Sequence, residues 1–290
     1  MVISSGKWST RQSKRAKASS PCVSDLSDTP VGTLLSSSHP SLRELRHIWA
    51  VRPRGGWIDQ PDFYCHLGEL VLSKGEPLIA YDILVEGRSY SPRHVRLRQL
   101  LGLTLARSGA AERGNAMLRQ LKNEGHSDGE TLGILAGTYK DLWASCDDPK
   151  LARMYLDQAR SLYSEAYSLC TRKGDMESAY YNGINAATTA LLLGKDEQAR
   201  RLAGEVDRMC QLVIAERNSA TDMYWAVVTR GEAALINGNF DQAATFYSDA
   251  ALENPGRFAD FCVTREQARM LLSFFDADQF LMDACFKLSL

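Results

Sequence analysis

Leu67-Gly68-Glu69-Leu70-Val71-Leu72-Ser73-Lys74-Gly75 is followed, 34 residues on, by Leu101-Gly102-Leu103-Thr104-Leu105-Ala106-Arg107-Ser108-Gly109. Both stretches open on a large residue and a small one, place an apolar residue four positions later, and close on glycine. The register persists downstream, with Ala80 answering to Gly114 and Leu84 to Leu118. Leu135-Ala136 and Tyr139 start a third copy on the same beat. A fourth copy carries Ala187, Ala190, Gly194, Ala199, Ala203 and Val206, and a fifth carries Gly231, Ala234, Gly238, Ala243, Tyr247 and Ala250. Self-similarity at such a period marks a repeat architecture, in which each unit buries its apolar face only against its neighbours.

The spacing supplies the physical logic of the unit. A small residue at 68, 102, 136, 187 or 231 lets a first helix approach a second, which offers its own small position at 80, 114, 159, 199 or 243. Glycine at 75, 109, 194 and 238 falls just past the first helix, where the left-handed backbone of a C-cap costs a residue without Cβ least. Pro92 and Pro255 close their units. Antiparallel helix pairs on a 34-residue beat resemble the tetratricopeptide repeat (TPR). The resemblance implies an all-α, TPR-like right-handed superhelical α-solenoid of about five helix pairs with N- and C-terminal capping helices. The units are expected at 61–94, 95–128, 129–173, 180–213 and 224–257. The third is expanded around Ala144-Ser-Cys-Asp-Asp-Pro149, with a long second helix over about 151–172. Extra residues around Glu216-Arg-Asn-Ser219 follow the fourth.

Outside the repeats, Ser41-Leu-Arg-Glu44 reads as a capping box opening a short helix that caps the first unit, within a capping segment at 41–60. Residues 258–290 are expected to cap the last unit. Phe258, Phe261, Cys262, Arg265, Ala268, Leu271, Leu272 and Phe275 form the amphipathic pattern there, and a final short helix runs to Cys285. The first 40 residues read as a basic, Ser-rich disordered tail, with Lys7, Arg11, Lys14, Arg15 and Lys17 and no apolar core for a secretory signal. Of the 34 basic and 35 acidic residues, nine basic and four acidic lie in residues 1–60, so a near-neutral total hides a basic arm on an acidic array.

The 290-residue chain has a mean hydropathy of −0.26 and no apolar run long enough for a transmembrane helix. These features predict no membrane or nucleic-acid partner. Seven dispersed cysteines without a C-x-x-C pair point away from a disulfide scaffold or zinc site and toward buried thiols in a cytoplasmic protein. No cofactor or metal is expected. Phosphate-loop, dinucleotide, nucleophile-elbow and H-E-x-x-H motifs are absent, and Cys65-His66, adjacent on a helix, do not face each other. The chain therefore reads as non-catalytic.

Longer strings narrow the resemblance. Gly75-Glu-Pro-Leu-Ile-Ala-Tyr-Asp-Ile-Leu84, Thr138-Tyr-Lys-Asp141 and Tyr180-Tyr-Asn-Gly-Ile-Asn-Ala-Ala187 look like the TPR region called the TRAFs-binding domain. That region occurs in apoptosis-signal-regulating kinases and in bacterial multidomain signalling proteins. The resemblance, over about residues 62–290, implies a regulatory interaction module that binds a protein or peptide segment on its concave face. By repeat position that face includes Arg96, Gln99, Arg107, Lys140, Asp141, Tyr181, Ile184, Asn185, Trp225 and Glu232. Lys140 and Asp141 fall late in a first helix and Asn185 early in one; Asn185 has a second reading, an amide satisfying a neighbouring unit's carbonyl. Chaperone-binding TPR proteins clamp a carboxylate with Lys and Asn where this chain has Cys65, Glu69, Gln99 and Leu103, so that clamp is not expected. The face turns apolar around Tyr181, Ile184, Leu191, Trp225, Val228 and Leu235. This stretch has two readings: a groove for a partner helix, or the floor under the chain's own C-terminal segment. A second function, homo-oligomerisation through this apolar end, stays open beside the first.

Overall fold

The computed structural model describes residues 40–53, 56–216, 223–254 and 257–275. The basic tail, the extra residues at 217–222 and the final helix toward Cys285 lie outside the described residues. Within them the chain is all-helical: twelve helices and no strand. The contacts divide it into two compact units, residues up to 114 and residues from 115 onward.

The first unit contains α1 (Leu42–Ala50), α2 (Pro61–Ser73), α3 (Pro77–Tyr90), α4 (Val95–Arg107) and the start of α5 (Ala111–Asn123). Ser41 opens α1 as a full capping box. Its Oγ accepts from the Glu44 N–H, and the Glu44 carboxylate accepts from the Ser41 N–H at 2.7 Å. Those hydrogen bonds hold the Glu44 carboxyl below the ordinary carboxylate range. Leu45 and Ile48 are buried where α1 meets α2. An aromatic cluster of Trp49, Trp57, Phe63 and Tyr64 completes this end. Tyr64 donates its hydroxyl to Glu86 and accepts from the Trp57 N–H, each at 2.9 Å, while Arg52 pairs with Glu86 and covers the Trp49 ring at 3.7 Å. Burial pushes the Tyr64 phenol up to about 12.

The second unit takes over within α5 and continues through α6 (Gly129–Ala144), α7 (Pro149–Arg172), α8 (Met176–Leu192), α9 (Asp196–Ala215), α10 (Tyr224–Ile236), α11 (Phe240–Glu253) and α12 (Phe258–Phe274). Asp128, Asp148 and Asp175 cap α6, α7 and α8 by accepting from backbone N–H groups of the first turn. The expanded third pair needs only a four-residue link because Asp148 and Pro149 start α7 at once. Met176, capped by Asp175, opens α8, so Asn185 lies in the middle of that helix and not near its start.

Within each unit most successive helices pack against one another, α12 packs on α10, and first helices of consecutive pairs also touch: α2 with α4, α6 with α8, and α8 with α10. The close approaches depend on missing side chains. A Cβ on Gly114 would lie 2.5 Å from the Gly102 carbonyl oxygen, and one on Gly231 would lie 2.9 Å from the Tyr247 ring. Gly75, Gly109, Gly194 and Gly238 all take φ between 73° and 84°, turning the chain from a first helix into a second. Leu67, Leu84, Leu101 and Leu118 fill the spaces between helices and are almost fully buried, each stabilising the array by roughly 1.5–3 kcal/mol.

Candidate functional site

First helices carry all ten candidate residues: in the first unit Arg96, Gln99 and Arg107 on α4, and in the second Lys140 and Asp141 on α6, Tyr181, Ile184 and Asn185 on α8, and Trp225 and Glu232 on α10. In the first unit, Arg96 donates from Nε to Glu69 at 2.8 Å and from Nη1 to Gln99 at 3.4 Å. Arg96, Glu69 and Arg107 are half-buried, whereas Gln99 is buried. Arg96 and Glu69 neutralise each other on this surface.

Beside it lies an arrangement that sequence adjacency hid. Cys65 faces His94 and not His66, with Sγ 3.9 Å from His94 Nδ1, while His94 Nε2 lies 3.6 Å from Asp62. The residue types are those of a nucleophile, a base and an orienting carboxylate. The electrostatics oppose that use. Burial, with Glu69 and Asp62 nearby, pushes the Cys65 thiol far above its ordinary value, and His94 Nδ1 also accepts the Leu97 N–H as the α4 cap. The thiol behaves as a small core residue. Cys170 and Cys210 are likewise buried, Cys146 is half-buried, and Cys262 is exposed.

The second unit builds its face differently. Lys140 is 5 % exposed, and its ammonium donates to Asn185 Oδ1 at 3.2 Å and to Gln267 Oε1 at 3.0 Å. Asn185 orients its amide by donating Nδ2 to the Tyr181 carbonyl one turn earlier in its own helix. The neighbouring-carbonyl reading of Asn185 is thus replaced by one in which the amide holds a lysine. Burial lowers Lys140 to about 8, and the adjacent Asp141 charge offsets part of that shift. Tyr181 stacks edge-on with Tyr163 and hydrogen-bonds it, and burial raises the Tyr163 phenol well above its ordinary value.

Helix α12 lies across this floor. Gln267 meets Lys140 of α6 and Thr188 of α8, the latter at 3.5 Å, and Thr264 meets the Tyr224 hydroxyl of α10 at 2.9 Å. Phe261 packs on Tyr224, and Phe275 meets Phe240 edge-on. The chain therefore covers part of its own first-helix layer. Lys140, Ile184, Asn185, Trp225 and Glu232 are buried, and Asp141 and Tyr181 stay half-buried. The inward stripe of α12 is Thr264, Gln267, Ala268, Leu271 and Leu272, while Cys262 and Arg265 are exposed. Helical spacing puts Cys262 and Arg265 in the expected buried pattern, but both are exposed, and Thr264 and Gln267 face Tyr224 and Lys140 beside the buried Ala268, Leu271 and Leu272. Sequence reasoning missed Gln267, Thr264 and Tyr224. The only available signal was the i, i+3, i+4, i+7, i+8 spacing from Thr264, two of whose five members are polar.

A layered array of antiparallel helix pairs with a 34-residue beat is the tetratricopeptide-repeat fold, and comparison with known proteins agrees. Residues 79–192 match the family described as Tetratricopeptide Repeats-Sensor. Among solved structures, TTC0263, a thermophilic TPR protein in Thermus thermophilus, superposes with a TM-score of 0.56 at 17% identity, covering 73% of this chain and 99% of that one. BtubC (BKLC) from P. vanneervenii gives a TM-score of 0.49 at 15% identity over 77% and 90% of the two chains. NprR, in complex with its cognate peptide NprX, gives 0.47 at 12% identity over 83% and 70%. A search of the curated proteins finds no match. The chain carries a TPR fold. Among the described residues, no helix is long and apolar enough to cross a membrane.

Proposed function

We propose that this chain is a non-catalytic interaction module that receives a protein or peptide segment on its first-helix face, within a signalling or effector system. One observation carries the reading: an amphipathic helix is already seated across three successive first helices, held by Lys140, Thr188 and Tyr224. A face that seats one helix through side chains from three repeats has the geometry that helix-in-groove recognition uses. The signalling setting is supported by the description of the matched family as a sensor, and by the TRAFs-binding-domain-like strings at 75–84, 138–141 and 180–187. In the first unit the same reading assigns partner contacts to Arg96, Gln99 and Arg107. In the second it assigns them to Lys140, Asp141, Tyr181, Ile184, Asn185, Trp225 and Glu232.

The reading is tested by capture from native extract with the full-length chain, quantified by mass spectrometry, against an Asp141→Ala/Tyr181→Ala double variant. Both positions are half-buried, so the variant should keep its helical circular dichroism. Loss of the proteins enriched by wild type is expected. Unchanged capture by a folded variant would remove the first-helix face from the function.

A further inference from the structure

We infer that α12 is a built-in stand-in for an acidic amphipathic helix of a partner, which takes the same seat with a carboxylate where Gln267 stands. The inference rests on the first-helix reading above and names the partner's chemistry. It starts from an imbalance in the seat. Lys140 is almost wholly buried, yet the two groups that its ammonium meets there, Asn185 Oδ1 and Gln267 Oε1, are neutral carbonyl oxygens. Removing an ammonium from water against neutral acceptors is costly, and the lowering of Lys140 toward neutrality by burial reflects that cost. Asn185 belongs to the floor and stays. Gln267 belongs to the occupant and is the replaceable partner. A carboxylate at its position turns a neutral hydrogen bond into a charge-assisted one, roughly twice as strong.

Two further features mark α12 as an occupant that another helix can improve upon. Glu266, beside Gln267, has one carboxylate oxygen buried with no hydrogen-bond partner, and burial raises its pKa. Trp225, on the floor and 5 % exposed, keeps its indole N–H buried without an acceptor. Each such group taken from water without a replacement partner weakens the closed state. The outward face of α12 leaves Cys262, Arg265, Arg269 and Ser273 exposed. Tethering gives this occupant a high effective concentration, so a competing helix must bind better, and the acid at position 267 provides the means. The partner is thus a helix with an apolar i, i+3, i+4 pattern directly following an acidic residue, matching Ala268, Leu271 and Leu272 behind Gln267.

The test uses labelled peptides spanning residues 257–275, one native and one carrying Gln267→Glu. They are titrated by fluorescence anisotropy into the full-length chain bearing Leu271→Asp, which loosens the tethered helix, and into the same chain with Lys140→Met added. The acidic peptide should bind at least tenfold more tightly than the native one, and Lys140→Met should abolish the preference. Equal binding of both peptides overturns the acidic-partner inference and leaves the first-helix reading standing. Failure of both peptides to bind a folded chain overturns the inference and the first-helix reading together. A concentration-dependent dimer dissolved equally by either peptide assigns the seat to a second copy and also overturns the inference. Should Leu271→Asp cost the fold, Gln267→Glu in the otherwise native chain decides. Hydrogen exchange across 258–274 should slow about tenfold, and unchanged or faster exchange overturns the proposal.

Discussion

The first helices of the two units settle their charges in opposite ways. In the first, Arg96 finds Gln99 on its own helix and Glu69 on the first helix of the preceding pair, and the half-buried group is satisfied by its own repeats. In the second, Lys140 is buried with only part of its needs met by α8, and the rest comes from a helix 127 residues later. A repeat position specifies where a side chain points and leaves its partner open. Where the partner lies on the next repeat the face is finished; where it comes from a distant helix, the face depends on an occupant that another helix can exchange.

The largest effects should come from breaking the arrays themselves. Gly231→Leu in the second unit forces a branched side chain into the Tyr247 ring, and overpacking of this kind costs about 3 kcal/mol. Thermal melting should fall by roughly 6–12 °C. Gly114→Ala makes the equivalent test in the first unit, where the obstacle is the Gly102 carbonyl and cannot rotate away. An unshifted melting curve for either variant would refute the helix pairing at that unit.

Lys140 provides a comparable effect, on the order of 3 kcal/mol. Its folded value of about 8 lies below the ordinary 10.5, so between these values the unfolded chain binds more protons than the folded one. Stability should therefore rise with pH from about 8 to 10.5 relative to Lys140→Met, which lacks the titration. Denaturant melts of both proteins across that range check the sign, and a parallel pair of curves would show that Lys140 is not buried as described. Smaller still, Glu69→Gln in the first unit should cost about 0.5–1 kcal/mol, because its ion pair with Arg96 is partly exposed. That loss should shrink in high salt, and the Lys140 effect should persist there, since burial shields it from screening. If both responded alike to salt, the contrast between the two faces would be lost.

Much of the fold was legible because its causes are local or periodic. Leu67, Val71 and Gly75 against Leu101, Leu105 and Gly109 set the helix-pair beat, and Ser41 and Glu44 define a cap within four residues. The candidate site was legible only by repeat position. That rule put Lys140 and Asn185 on one layer without showing that they touch, and it put Cys65 near the face without revealing His94, 29 residues away.

Sequence alone determined an all-helical array, because small-to-large spacing, glycine at helix ends and capping residues act over one or two turns, where chain connectivity fixes the geometry. Tertiary structure decided which stripe of α12 turns inward and what Lys140 meets there. Those contacts join Gln267 to residues 79 and 127 positions earlier, beyond any period of the repeat, and there hydrogen bonds to buried polar groups act together with the burial of Ala268, Leu271 and Leu272.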